Sequence, residues 1–155
     1  MARVTLLGSG SSAGVPEVGC RCEVCLSDHP RNKRTRASLL IETNGLNILV
    51  DTSPDLRQQA LRAGLSRVDA VLFTHDHADH TGGIDDMRAF NVRADAAIPV
   101  YGNQQTLGLL QARYGYAFLP KPERAWYRPC LIPNFLPDLP VFQFDVLGVC
   151  MTAFE

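Results

Sequence analysis

The segment Thr74-His75-Asp76-His77-Ala78-Asp79-His80 holds three of the chain's four histidines and two carboxylates, all within the six residues from His75 to His80 of a 155-residue chain. Imidazole nitrogen and carboxylate oxygen suit zinc, manganese or iron. His75 and His77 are two apart, so on extended backbone both point the same way and can serve one ion. Asp79 and His80 follow once the loop turns, and can face a second ion. Two ions held close together share a hydroxide, lower its pKa and clamp phosphoryl oxygens. Chemistry of that kind needs no serine or cysteine nucleophile. The competing reading is a solvated polar loop. Asp76 has no ligand role in this scheme and reads as a solvated or capping residue.

A second cluster is Cys20-Arg21-Cys22-Glu23-Val24-Cys25. Three thiols in six residues of a cytosolic chain favour zinc over a disulfide. A redox cluster or idle thiols are the alternatives. His29 is either a local fourth ligand or a solvated loop histidine. Cys130 and Cys150 show no partner pattern. Gly8-Ser9-Gly10-Ser11-Ser12 lacks the Lys-Ser/Thr ending of a nucleotide loop and reads as a tight loop at the rim of the active site. Arg31, Lys33, Arg34 and Arg36 form a basic run. Its ordinary meaning is a solvated face, with a phosphate or RNA contact as the minority reading.

These residues need elements to position them. Val68 to Phe73 is an apolar run that reads as the buried strand delivering the histidine loop. Arg3 to Leu7, Ala37 to Thr43 and Leu46 to Asp51 are further strands, the last two joined by the hairpin signal Asn44-Gly45. Ser53-Pro54-Asp55 reads as a helix start with Ser53 as N-cap, and the helix runs to Ala63 before Gly64. A short helix is expected near Ile84 to Phe90 and another over Gln104 to Tyr114. Ile98 to Tyr101 reads as a strand, with Pro99 placing it at an edge or at a strand start. Leu119 to Pro140 carries six prolines and reads as an irregular excursion or lid. Phe142 to Phe144 and Val149 to Phe154 read as a closing hairpin around Leu147-Gly148. This order suits a layered α/β (α+β) arrangement.

The chain is long enough for one domain with a real core. A net charge of −1 gives no steering toward nucleic acid or anionic membrane. No stretch approaches the ~18 apolar residues of a membrane-spanning helix. Met1-Ala2-Arg3-Val4 leads straight into a strand with no secretory core, so the expected location is cytoplasmic.

The histidine loop, the glycine-rich segment from Gly8 to Pro16, the cysteine cluster and Ile48-Leu49-Val50-Asp51-Thr52 together resemble the metallo-β-lactamase-fold hydrolases. Among these they are most similar to the PhnP-type cyclic-phosphate phosphodiesterases. The resemblance implies the N-terminal half of an αββα sandwich. It implies two divalent ions, zinc or manganese, with His75 and His77 on one and Asp79 and His80 on the other, Asp79 also counting as catalytic. It implies that Asp51 braces the metal loop from behind, where the plain reading is a strand-ending turn residue. It implies a structural zinc on Cys20, Cys22 and Cys25. The family completes its metal site with later histidines and an aspartate, and no histidine follows His80. The expectation is therefore a single domain over 1–155, truncated at its C-terminus and inactive alone. The expected activity is hydrolysis of a small, cyclic phosphate ester or nucleotide by a metal-bound hydroxide. The alternatives are a tRNA 3′-end-type nuclease of the same superfamily and a non-catalytic zinc-binding fragment. A small phosphate ester is the expected partner, no membrane is expected, nucleic acid is the minor alternative, and a homodimer stays open.

Overall fold

The computed structural model describes residues 1–123 and 126–154. Six strands form one sheet in sequence order: β1 (Arg3–Gly8), β2 (Ser38–Thr43), β3 (Leu46–Val50), β4 (Ala70–Leu72), β5 (Ile98–Asn103) and β6 (Leu131–Leu136). The first three pair antiparallel, and β3 through β6 run parallel. Antiparallel neighbours can be joined by a tight turn. Asn44 and Gly45, with φ of 50° and 77°, make the one between β2 and β3. Parallel neighbours need crossovers. Helix α2 (Leu56–Ala63) supplies the first, and α4 (Met87–Ala94) and α5 (Gln104–Arg113) the next two. Two single-turn helices, α1 (Glu23–Leu26) and α3 (Ala78–Thr81), lie in the cysteine and histidine segments.

Alternation along β3 builds two cores. Leu49 faces the helices with Leu56, Val71, Ile84, Met87, Val100, Leu107 and Leu110. Ile48 faces the opposite side with Ala70, Tyr101 and Val146. Burying each such aliphatic side chain stabilises the fold by about 1.5–3 kcal/mol. The second side is covered by a separate hairpin, β7 (Val141–Val146) with β8 (Val149–Phe154), turning at Leu147 (φ 54°) and Gly148 (φ 86°). Coverage there is partial. A cleft of about 390 Å³ remains between Leu72, Tyr101 and Leu136 of the sheet and Phe142, Phe144 and Phe154 of the hairpin. Val4 and Leu6 of β1 stay 61% and 69% exposed.

Several boundaries differ from the sequence reading for identifiable reasons. Leu131–Leu136 is a regular strand although it lies in the proline-rich excursion and contains Pro133. Among the described residues it is the outermost strand, paired only with β5, so a proline there need not break a ladder on both sides. The excursion also spans Arg124 and Ala125, which lie outside the described residues. β5 is interior rather than an edge, but its ladder with β4 begins at Val100, one residue after Pro99. The helix after β3 starts at Leu56 with Asp55 as its N-cap. Ser53 instead closes a turn just before it, its hydroxyl accepting from the Asp55 N–H at 3.2 Å and donating to Gln59 at 3.1 Å.

The end of β3 and the histidine loop are pressed together. The Thr52 N–H donates to His80 C=O at 2.7 Å, and the Gly83 N–H to Thr52 C=O at 2.8 Å. A Cβ on Gly83 would fall 2.2 Å from Ser53 C=O and 2.9 Å from Leu56 Cβ. Gly83→Ala should therefore push the loop off the strand, costing about 1–3 kcal/mol and lowering Tm by roughly 2–10 °C. A thermal melt checks this, and an unchanged Tm would show that the contact is loose.

Candidate metal centre

β4 ends at Leu72, and the chain leaves the C-terminal end of this interior strand through Phe73 and Thr74 into the histidines. His77 sits at the N-cap of α3, which carries Asp79 and His80 in one turn. The Thr81 hydroxyl donates back to His77 C=O at 3.0 Å and holds that turn closed. The rings of His75 and His77 lie edge to face with centroids 4.7 Å apart, and those of His75 and His80 are 4.0 Å apart.

Asp51 sits behind the loop, 4% exposed, with φ of 59°. Asp is among the few non-glycine residues that adopt this left-handed conformation readily. Its Oδ1 accepts the Thr74 N–H at 2.9 Å. Its Oδ2 accepts the Thr74 hydroxyl at 2.7 Å and lies 2.7 Å from His80 Nδ1. Thr74 Oγ1 is also 3.0 Å from His75 Nδ1.

Hydrogen counting then assigns the tautomers, since a hydroxyl has a single proton to donate. With that proton directed to Asp51, Thr74 Oγ1 can only accept from His75. His75 thus carries hydrogen on Nδ1, as His80 does toward Asp51, and both Nε2 atoms are left with free lone pairs able to take a metal ion. His80 Nε2 lies 3.4 Å from Asp79 Oδ2. A bare imidazole nitrogen and a carboxylate oxygen repel at that separation unless a cation, a proton or a metal ion, lies between them. The donor set therefore fits a divalent ion. Its atoms form pairs rather than one tight tetrad: among the described residues, only the cysteines bring three or more donor atoms all within 4.8 Å of one another.

Asp76 is only partly exposed, and its carboxylate has a partner. Arg113 of α5 donates to its backbone carbonyl at 2.5 Å and to its carboxylate at 3.0 Å, anchoring the loop to the helical layer. The roles of Thr74 and Arg113 escaped the sequence reading. The only signal for Thr74 was a hydroxyl next to His75, and Arg113 had none, lying 37 residues away.

Cys20, Cys22 and Cys25 converge as their spacing predicts, with all sulfurs within 4.8 Å. Cys22 is drawn down to about 7, first by the backbone N–H of Cys25 and then by the neighbouring thiols of Cys20 and Cys25. Cys25 Sγ also accepts the Glu17 N–H at 3.4 Å. His29 stands apart from this cluster, its Nδ1 accepting the Arg31 N–H at 3.2 Å as a cap. Converging thiols, one of them acidified, fit a thiolate-bound zinc. Cys22→Ser should lower zinc retention at pH 7.5 and reduce Tm by several degrees. In the unsubstituted chain, uptake should fall as pH drops, because protons compete for the three sulfurs, claiming Cys20, raised beside its neighbours, before the acidified Cys22. A thiolate-to-metal absorbance titration with Co²⁺ reads both effects, and equal binding by the serine variant would remove Cys22 from the site.

Comparison with known proteins places this geometry. A profile of the beta-lactamase superfamily domain matches residues 46–133, from β3 through the histidine loop into β6. The octanoyltransferase of Porphyromonas gingivalis is 49% identical over 150 residues, which make up 95% of this chain and 29% of that protein. Coenzyme PQQ synthesis protein B of Rhodopseudomonas palustris is 34% identical over 168 residues, covering all of this chain and 52% of that one. The crystal structure of a diphosphatase of the PhnP family superposes with a TM-score of 0.82 at 34% identity, over 97% of this chain and 55% of that one. The chain thus spans about half the length of the last two and less than a third of the first. Among the described residues, no helix is long and apolar enough to cross a membrane. With a matched profile that runs through the Asp51-braced histidine loop and a PhnP-family structure as a near neighbour, the chain belongs to the β-lactamase superfamily, with the metallo-β-lactamase fold and a resemblance to PhnP.

Proposed function

We propose that this chain carries the N-terminal part of a dinuclear-metal phosphodiesterase that hydrolyses small phosphate esters. The observation that carries this reading is the hub at Asp51, which holds His80 Nδ1 at 2.7 Å and, through Thr74, sets the tautomer of His75. A loop built only for solubility has no need of fixed imidazole tautomers. Asp79 and His80 would hold one divalent ion, and His75 and His77 the other. Such ions supply Lewis acidity toward a phosphoryl oxygen and toward water. The chain's own contribution is orientation. Asp51 and Thr74 fix the imidazole edges, Arg113 ties down Asp76, and the Gly83–Thr52 contact fixes the loop against the sheet.

The PhnP-family diphosphatase supports phosphorus chemistry. The octanoyltransferase name bears on it weakly, because less than a third of that protein is matched here. The half-covered hydrophobic face at Val4, Leu6 and the hairpin cleft supports a second layer packing there in a longer protein, from which the remaining metal ligands would come. The test is a colorimetric assay on aryl phosphodiesters with added Mn²⁺ or Zn²⁺. It compares the 155-residue chain with a form extended to the length of its relatives. The extended form should turn over and the short one should not. Robust turnover by the short chain would overturn the shared-ligand reading. Metal binding without turnover in either form would favour the non-catalytic alternative.

A further inference from the structure

The basic run does not behave as one unit. Arg36 leaves it. Its backbone N–H and guanidinium both engage Asp55, at 2.9 and 3.1 Å, and that carboxylate is thereby occupied. Arg31, Lys33 and Arg34 instead turn to a separate cleft of about 350 Å³. There they meet Arg62 from α2 and the backbone of Gly8 and Ser9. Among the described residues, no acidic side chain lines this cleft, and none of the four cations forms an ion pair with a carboxylate. Asp28 and Asp55 line the adjoining hollow, whose wall shares Lys33, Arg34 and Arg62 with this cleft; Asp55 is already engaged by Arg36.

The cleft has a fixed frame. The Arg34 N–H donates to Val15 C=O at 2.7 Å and its own C=O accepts from the Val15 N–H at 2.8 Å, which locks the backbone beneath the cationic side chains. The Arg62 guanidinium is held by Leu7 C=O, and the Thr35 hydroxyl donates to the same carbonyl at 3.2 Å. Four cationic side chains around a concavity whose own wall carries no carboxylate outnumber the two acids next door, repel one another and raise the potential inside it. An anion relieves that repulsion. Guanidinium groups also match the oxygen spacing of phosphate.

From this cleft we infer a binding site for a phosphate-class dianion, distinct from the histidine loop. The ligand is either inorganic phosphate or the phosphate of a small monoester. The site opens at the same end of the sheet as the metal loop. Gly8 pairs with Ser38, whose hydroxyl donates to Asp51 C=O at 3.0 Å. Gly8 and Asp51 are thus about 10 Å apart, two strand spacings.

The experiment is a ¹⁵N–¹H NMR titration of the chain with inorganic phosphate and, separately, with ribose 5-phosphate, at low ionic strength. The expected result is saturable shifts of the Gly8, Ser9, Lys33, Arg34 and Thr35 amides, weakened about tenfold or more in the Lys33→Gln/Arg34→Gln variant. Affinity should fall as salt is raised, because the cations are exposed. Both side chains are exposed, so the variant should keep a dispersed spectrum. Arg31→Gln gives the same reading should the double variant unfold. Saturation by ribose 5-phosphate alone would identify the source as an ester, and saturation by both would identify the free ion as sufficient. Linear shifts, shifts unchanged in the variants, or shifts confined to Thr74–His80 would overturn the site. None of these readouts depends on hydrolysis, so failure here leaves the catalytic reading standing, and the reverse.

Discussion

His77→Ala or Asp79→Ala in the extended protein is expected to cut phosphodiester turnover by roughly a thousandfold or more while leaving the fold nearly untouched. The loss corresponds to about 4 kcal/mol of transition-state stabilisation, the scale expected when a metal ligand is removed. Stability should change far less. His77 is exposed and makes no side-chain cap bond to α3, although it occupies the N-cap. Asp79 is half-buried, and its ion pair is with His80. Substitutions at such positions typically stay within about 0.5 kcal/mol. Steady-state kinetics with matched thermal melts separate the two effects. Full activity in the Asp79 variant would mean that the carboxylate is not a ligand. A collapse of Tm with activity would mean that the loop acts through folding.

The second large effect is expected for Asp51→Asn, and there it should be double. Asparagine fits the left-handed backbone at this position, so conformational strain would not confuse the result. Its amide oxygen can still accept the Thr74 N–H, but an NH₂ group then faces the Thr74 hydroxyl and His80 Nδ1. Two donors cannot share that contact. His80 would have to move its proton to Nε2, the atom facing Asp79 at 3.4 Å. Asp51→Asn should therefore weaken metal binding about 10- to 100-fold. It should also cost roughly 1–3 kcal/mol for buried donors left without acceptors. Chelator competition measures the first, denaturant unfolding the second, and imidazole ¹⁵N shifts report the His80 tautomer directly. An unchanged tautomer with unchanged metal affinity would remove Asp51 from its bracing role.

Legibility in the sequence followed distance along the chain. His75, His77, Asp79 and His80 are adjacent in sequence, so their types and spacing alone marked a candidate metal loop. The cysteine trio is equally local, and its sulfurs do converge. Asn44-Gly45 and Leu147-Gly148 specified two hairpins, because positive φ at a turn is a property of the residues that form it. Leu46 to Asp51 reads as an apolar strand, and it is one through Val50; that its Ile48 and Leu49 serve two separate cores came from the layers packed on either face. Tertiary structure decided what depends on partners far apart. Asp76 reads as a solvated or capping residue until α5 brings Arg113 to it across 37 residues. Arg36 looks like one more cation of a basic run until Asp55 takes it. Pro133 argues against a strand until the sheet order makes β6 its edge. The hydrogen count that joins Asp51, Thr74, His75 and His80 needs β3 and β4 paired side by side, because only that pairing brings a carboxylate to a ring 29 residues further along the chain.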